Sequence, residues 1–371
     1  MINGAPSLFV WSLSEPRPIG IDSFVDEFLE EYWWYGSSKS ALHDGLATVA
    51  DEGETVLFPA YLPDAVAEPI RELGLDPQYY SVTGTLAPDV ADLESRVDDD
   101  TLAITSVNYF GFPQPRLESI SELVDDHDCY HVDDNAHSAL SVHDGRLLGT
   151  AGDLGVTSLW KLFPIPNGAL LYLPNDELRA RFEPSALAGT NERVDRHDAR
   201  FVLKSVALDL LHSNETVRQS VHSLVARSNG DPSEGDPLAR YEAGKSRMSK
   251  LASRVLEDAD PTAIRSSRRE NYRAWRDVIV DREDLTPLYE RLPEGICPQV
   301  FPVYAQRPRR FLDNLETAGV GGAHTWPRLP RAVREDPTYE MASRLSQHVV
   351  VLPVHQHVDA ETIESISRSL E

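Results

Sequence analysis

The sequence predicts an α/β protein with a large domain, whose mostly parallel central sheet is sandwiched by helices, and a smaller C-terminal α+β domain. Two observations carry this. Over the first two-thirds, short β-prone runs alternate with helical stretches, the pattern of strands joined by crossover helices. Beyond a polar Gly/Pro/Ser loop, SNGDPSEGDP at 228–237, helical segments give way to two further apolar runs and a closing helix.

In chain order, TVLFPA (55–60), LAITSVNYF (102–110), CYHVDD (129–134), GVTSLW (155–160) and ALLYLP (169–174) read as strands. Between them DAVAEPIRELG (64–74) and LESISELVDDHD (117–128) have helical spacing. MSKLASRVLEDAD and AIRSSRRENYRAWRDVIVD read as helices after the polar loop, then VFPVYAQ and HVVVLPV as strands and AETIESISRSLE as a helix. The domain boundary is expected near residue 262, giving a large domain at 1–262 and a small one at 263–371. There is no internal repeat.

The chain carries 60 Asp plus Glu against 35 Lys plus Arg, a formal net charge of -25. Such a surface repels phosphate backbones, so no nucleic-acid partner is expected. The acids are spread along the chain, as in proteins kept in solution at high salt, and a halophilic cytoplasm is the expected setting. No run approaches the about 18 apolar residues that a membrane span needs. The start, MINGAPSLFVWSLSEP, lacks a basic region before its apolar patch, so no signal peptide is expected. Cys129 and Cys297 are the only cysteines and read as buried thiols.

Only five lysines occur, at 39, 161, 204, 245 and 250. Lys161 stands in a segment rich in apolar residues, SLWKLFPIPNG. A lysine, unlike an arginine, can lose its proton when desolvated and act as an amine nucleophile; it can equally pack its stem on apolar surface. In α/β folds ligands gather at the carboxyl ends of strands. There the sequence places Asp133-Asp134 with His137 following, Trp160-Lys161, and Asn108-Tyr109-Phe110-Gly111. Upstream, Tyr35-Gly-Ser-Ser-Lys-Ser-Ala-Leu42 opens a helix whose amides and hydroxyls suit a phosphate. A lysine, a carboxylate, a phosphate cradle and aromatic rings are the parts pyridoxal phosphate needs. The cluster His131, Asp133, Asp134, His137 and His143 is also dense in metal ligands. Because 131 and 133 share one strand face and 134 takes the other, they cannot all reach one ion, and no metal is expected.

On these residues the sequence resembles the DegT/DnrJ/EryC1/StrS aminotransferase family, which has the fold type I architecture of pyridoxal-phosphate enzymes. The similar stretches are Val132-Asp-Asp-Asn-Ala-His137, Gly145-Arg-Leu-Leu-Gly-Thr-Ala-Gly-Asp153 and Ser158-Leu-Trp-Lys161, with SSKSAL, VLFPAYLP, NYFGFPQP, RRENY and LPVHQ, so that the likeness extends over nearly the whole chain. The resemblance implies that Lys161 is the Schiff-base lysine and Asp134 the partner of the pyridine nitrogen. It places His137 by the cofactor ring, Ser158 and the Ser38–Lys39 backbone at the phosphate, and Tyr61 and Asn108 beside the cofactor. It implies an amino-acid donor, glutamate, a keto-sugar acceptor of the nucleotide-linked kind used for surface polysaccharide, and a homodimer in the cytoplasm. SSK stands where Ser-Gly-Arg or Ser-Gly-Thr is commoner, and NGA replaces a Gly-rich segment after the lysine. A non-catalytic, regulatory or assembly protein on the same fold is therefore the alternative. Retention of Lys161 makes the family's dehydratases, which have lost this lysine, a poorer match. Arg309, Arg310, Trp326 and His355-Gln-His357 are candidates either for substrate contact or for packing.

Overall fold

A computed structural model describes residues 2–13, 20–212 and 236–366. Seven strands form the large sheet in the order β1-β9-β8-β5-β4-β2-β3: β1 (Tyr32–Tyr35), β2 (Thr55–Pro59), β3 (Asp76–Tyr80), β4 (Thr101–Val107), β5 (Tyr130–Asn135), β8 (Leu154–Ser158) and β9 (Ala169–Tyr172). The hairpin strands β6 (Val142–His143) and β7 (Arg146–Leu147) lie outside it. Strands β2, β3, β4, β5 and β8 run parallel, while β9 pairs antiparallel with β8 and with β1. Every residue of β2, β4, β8 and β9 is buried, as expected of strands covered on both faces.

The expected strands fall where the apolar runs put them. β1 and β3, which the apolar runs did not mark, carry Tyr and Trp in polar surroundings, YWWY and DPQYY, and are drawn in by pairing with β9 and β2. The run at 155–160 divides: β8 ends at Ser158, and Leu159–Lys161 turn as one 3-10 turn. The stretch 64–74 is a 3-10 turn, Asp64–Ala67, followed by a short helix, Glu68–Glu72, with Pro69 fitting its first turn, where no amide is needed. Most of the polar loop at 228–237 lies outside the described residues; Pro237 already opens the helix Pro237–Ala243.

The connection from β7 to β8 crosses the sheet edge at very short range. A Cβ on Gly155 would lie 1.8 Å from the Gly149 carbonyl oxygen, and Gly149 itself has φ 94°. Glycine at both positions lets that loop lie on β5 and aim the Gly149 and Ala151 amides at Asp133.

The second sheet is antiparallel, in the order β10-β11-β13-β12, with β10 (Leu285–Pro287), β11 (Val300–Ala305), β12 (His324–Thr325) and β13 (Val349–Pro353). The helix Pro261–Ile279 opens with Asp260 capping Ala263 N at 2.9 Å and Pro261 in its first turn. Its buried stripe, Ile264, Arg268, Asn271, Tyr272, Trp275 and Ile279, recurs every three or four residues. Trp275 Nε1 donates to the Pro353 carbonyl at 2.8 Å, and Asn271 Nδ2 to those of Val354, His355 and Val358. One apolar cluster runs from Val56 and Val132 of the large sheet into Phe301 and Val351 of the small one. Among the described residues no helix is long and apolar enough to cross a membrane.

Candidate active site

The site lies where β4, β5 and β8 end. Along β5 alternate side chains take opposite faces, so neighbouring Asp133 and Asp134 enter different surroundings. Asp133 accepts four hydrogen bonds: from Ser106 Oγ at 3.5 Å and Asn108 Nδ2 at 2.7 Å on Oδ1, and from Gly149 N at 3.1 Å and Ala151 N at 2.9 Å on Oδ2. Asp134, equally buried, accepts one, from Ala136 N to Oδ1 at 2.8 Å. Among the described residues nothing donates to Asp134 Oδ2. Burial raises this carboxyl above the ordinary aspartate range; the Ala136 amide and the Lys161 charge oppose the rise.

Lys161 ends the 3-10 turn that follows β8, which carries the side chain off the sheet toward Asp134. Burial pulls its ammonium down to about 8, with the Lys39 charge adding to the fall and Asp134 resisting it. About a tenth of this amine is thus unprotonated at pH 7, far more than for an ordinary lysine, and that is the state a nucleophile or a general base requires.

His137 stacks on Phe110, with ring centres 5.6 Å apart and planes 14° apart. Its Nδ1 accepts from Phe110 N at 2.8 Å, which leaves the ring proton on Nε2. Burial, reinforced by the Lys161 charge, holds this imidazole well below the usual histidine range, so it is neutral. Phe110 reaches this contact with φ 58°, a conformation few bulky residues adopt, which marks a constraint imposed by the surroundings. Trp326 stands edge-on to His137 at 5.0 Å and to Phe110 at 5.2 Å. Tyr61 completes the wall: its hydroxyl donates to the Trp326 carbonyl, and its own carbonyl accepts from Tyr109 Oη at 2.7 Å.

Opposite this wall begins the helix Ser38–Ala47, capped by Ser37 Oγ, which accepts from Lys39 N at 3.2 Å. Ser158 Oγ, at the end of β8, donates to Ser38 Oγ at 2.9 Å, joining the strand end to the helix start. Ser40 Oγ, in the same first turn, is buried without a hydrogen-bond partner among the described residues. A helix N-terminus with paired hydroxyls, an orphaned hydroxyl and a nearby ammonium on Lys39 fits an oxyanion such as a phosphate. The open carboxylate oxygen of Asp134, the amine of Lys161 and the flat ring of His137 complete a donor set that fits pyridoxal phosphate: an acceptor for the pyridinium, an amine for the aldehyde and a surface for the ring.

The sequence-derived candidates therefore divide. Lys161, Asp134, His137, Ser38, Lys39 and Ser158 come together. Tyr61 stands in the aromatic wall with its hydroxyl already engaged. Asn108 is a buttress: Nδ2 serves Asp133, and Oδ1 accepts from Gln114 N at 3.1 Å. Trp326 faces the site. His355 is buried and bonded to the Asn3 carbonyl at 2.8 Å, with its charge suppressed to about 3 by burial, and is a packing residue. Arg309 and Arg310 are exposed on the small domain; Arg310 lines a separate polar cavity of about 430 Å³ that shares no residue with the site. Among the described residues no three His, Cys, Asp or Glu side chains converge as a metal site requires. His131 instead hydrogen-bonds Ser106 Oγ at 2.8 Å. Arg268, which the sequence reading quoted within RRENY and gave no role, hydrogen-bonds the carbonyl of the residue next to Lys161.

Against known proteins, the model of the DegT/DnrJ/EryC1/StrS aminotransferase family matches residues 35–204. A GDP-perosamine synthase from Escherichia coli O157:H7 is 29% identical over 147 residues, 38% of this chain and 40% of that one. The chain spans about two fifths of the length of the curated relatives it matches first. Among solved structures, GDP-4-keto-6-deoxymannose-3-dehydratase (ColD) superimposes with a TM-score of 0.68 over 100% of both chains at 14% identity. DesV of S. venezuelae does so with 0.66 over 96% of this chain and 89% of its own at 15% identity. These likenesses establish the fold as that of fold type I pyridoxal-phosphate enzymes.

Proposed function

Because the model of the DegT/DnrJ/EryC1/StrS aminotransferase family matches residues 35–204, we propose that this chain is a member of that family, a pyridoxal-phosphate-dependent aminotransferase acting on a nucleotide-linked keto sugar, with glutamate as amino donor. The observation that carries the proposal is the meeting of Lys161, a buried amine whose proton is loosened by desolvation, with Asp134, whose Oδ2 has no donor among the described residues, beside a serine-lined helix start. Bound there, the cofactor supplies an electron sink that lets an amino group be exchanged for a carbonyl. The chain's residues do the rest.

Lys161 Nζ would be the group that holds the cofactor through its aldehyde carbon, and its amine, when free, would serve as the base that takes up and returns a proton beside it. Asp134 Oδ2 would accept from the pyridine N–H and favour the charged form of that nitrogen. A buried carboxylate whose only amide donor lies on Oδ1 has the other oxygen free for this bond. His137, neutral and braced by Phe110 N, presents its ring face and an Nε2–H donor without adding a charge that would compete with Lys161. Ser38, Ser158 and the amides at the start of the helix hold the phosphate, with Lys39 offsetting its charge. Tyr61, Tyr109, Phe110 and Trp326 exclude water from the ring's surroundings.

The acceptor assignment is supported by the relatives, several of which are named for GDP-linked sugars. In this reading the large domain, 1–262, carries the lysine, and the small domain, 263–371, contributes Trp326 beside His137. A homodimer belongs to the proposal: Trp160, next to Lys161, is 52% exposed, a large apolar ring that a second subunit would cover.

The test is the absorption spectrum of the purified protein in high salt with added pyridoxal phosphate. Wild type should show a visible band that moves to the near-ultraviolet with glutamate, and Lys161→Ala should lack the band in the absence of donor. A wild type that binds the cofactor yet leaves its spectrum unchanged by glutamate favours the non-catalytic reading. No band at all sinks the proposal.

A further inference from the structure

Arg268 is fully buried, and among the described residues no carboxylate pairs with it. Burying a guanidinium without a counter-charge is costly unless its donors are used, and here four carbonyl oxygens take four of the five N–H groups. Nη2 donates to Leu162 O at 3.1 Å, Nη1 to Pro298 O at 3.2 Å and Gln299 O at 3.1 Å, and Nε to Gln356 Oε1 at 3.1 Å. Gln356 Nε2 in turn donates to Leu162 O at 3.1 Å. The carbonyl immediately after Lys161 is thus held by two side chains from the C-terminal part of the chain.

The same guanidinium reaches the opposite wall. Gln299, whose carbonyl it binds, donates its own amide to Phe110 O at 2.9 Å, and Phe110 N donates to His137 Nδ1 at 2.8 Å. One rigid fork therefore ties together the lysine turn, the strap ahead of β11 that braces Phe110, and Gln356 just beyond β13. The fork geometry is specific to arginine; a lysine there would keep the charge and lose the simultaneous contacts.

We infer that Arg268 is a positioning residue for Lys161, holding the Leu159–Lys161 turn at a set distance from the His137 wall through the shared Leu162 carbonyl, with Gln356 as its second hand. The inference rests on the role proposed for Lys161. It is independent of cofactor, however, because it concerns where the amine sits in the empty protein.

The experiment is competitive acetylation of the apoprotein with acetic anhydride across pH 6 to 11, read lysine by lysine by mass spectrometry. With five lysines in the chain, each is its own reporter. The charged and titratable groups that face Lys161, namely Asp134, Lys39 and His137, are the same in every variant. In R268K the titration midpoint of Lys161 should move up from about 8 by about one unit toward the solvent value, as the freed turn lets water reach the amine, while Lys245 on the surface stays put. Q356A removes one of the two donors and should move the same midpoint by about half as much, and the double variant by less than the sum. An unchanged Lys161 midpoint in folded R268K overturns the inference; should R268K fail to fold, an unchanged midpoint in Q356A does so. A merely structural arginine would lower thermal stability and leave that midpoint alone. Failure of the proposed activity has a different signature, a wild type without the visible band, and leaves this titration readable.

Discussion

Asp133 and Asp134 are adjacent, chemically identical and both buried, yet the two faces of β5 make different things of them. On one face Asp133 meets four donors and serves as the knot that ties β4, β5 and the loop before β8. On the other, Asp134 keeps one oxygen uncommitted and lies within the field of Lys161. Burial alone does not separate a structural carboxylate from a functional one. The donor count does: a saturated carboxylate has nothing left to offer a ligand, and an unsaturated one costs stability that only a ligand recovers.

Substitution should pull the two apart. The largest effect is expected for Asp134→Ala, which should lower the rate of amino transfer by on the order of 10³-fold, roughly 4 kcal/mol of transition-state stabilisation. Its thermal unfolding should stay close to wild type, since one amide contact is all that is lost. Asp133→Asn should do the reverse. An amide group there turns N–H donors of its own toward Asn108, Gly149 or Ala151, and the unpaired groups should cost about 2–4 kcal/mol in denaturant unfolding. If Asp133→Asn spares stability and abolishes transfer, the division between the faces is wrong.

A smaller effect sharpens the functional face. The capture rate of pyridoxal phosphate by apoprotein should climb about tenfold per pH unit below about 8 and level off above it, because the neutral Lys161 amine is the species that reacts. Lys39→Met removes a neighbouring positive charge that favours the neutral amine, so the midpoint should rise, toward the ordinary lysine value. The direction for folding follows from linkage. With its folded value below the unfolded one, Lys161 binds fewer protons native than unfolded between those two values, so its contribution to stability increases as pH rises through about 8 and beyond. Stopped-flow absorbance reads the first two effects, and chemical unfolding of wild type against Lys161→Met reads the third.

Much of this site was legible in the residue order, and for an identifiable reason. Parallel strands buried on both faces announce themselves as apolar runs, so β2, β4, β5, β8 and β9 could be placed. Their carboxyl ends then nominated the pair Asp133-Asp134, His137 and Lys161, and the family resemblance singled out Asp134 and added Ser158. β1 and β3 were not legible, because YWWY and DPQYY are strands only by virtue of their partners. Asn108 was nominated for cofactor contact by its strand-end position and by the resemblance, and the fold spends both ends of its amide on Asp133 and Gln114.

By itself, then, the sequence determined the α/β class, the end of the sheet where the candidate site lies, and the candidate lysine there. These depend on periodicity and residue type, which are local properties. Only the tertiary structure decided which of two neighbouring aspartates stays open, that Trp326 walls the site while His355 packs the core, and that Arg268 reaches the carbonyl beside Lys161. Those outcomes depend on donors brought in from residues 16 to more than 200 positions away, and no local pattern records which polar groups will find each other once the chain is closed.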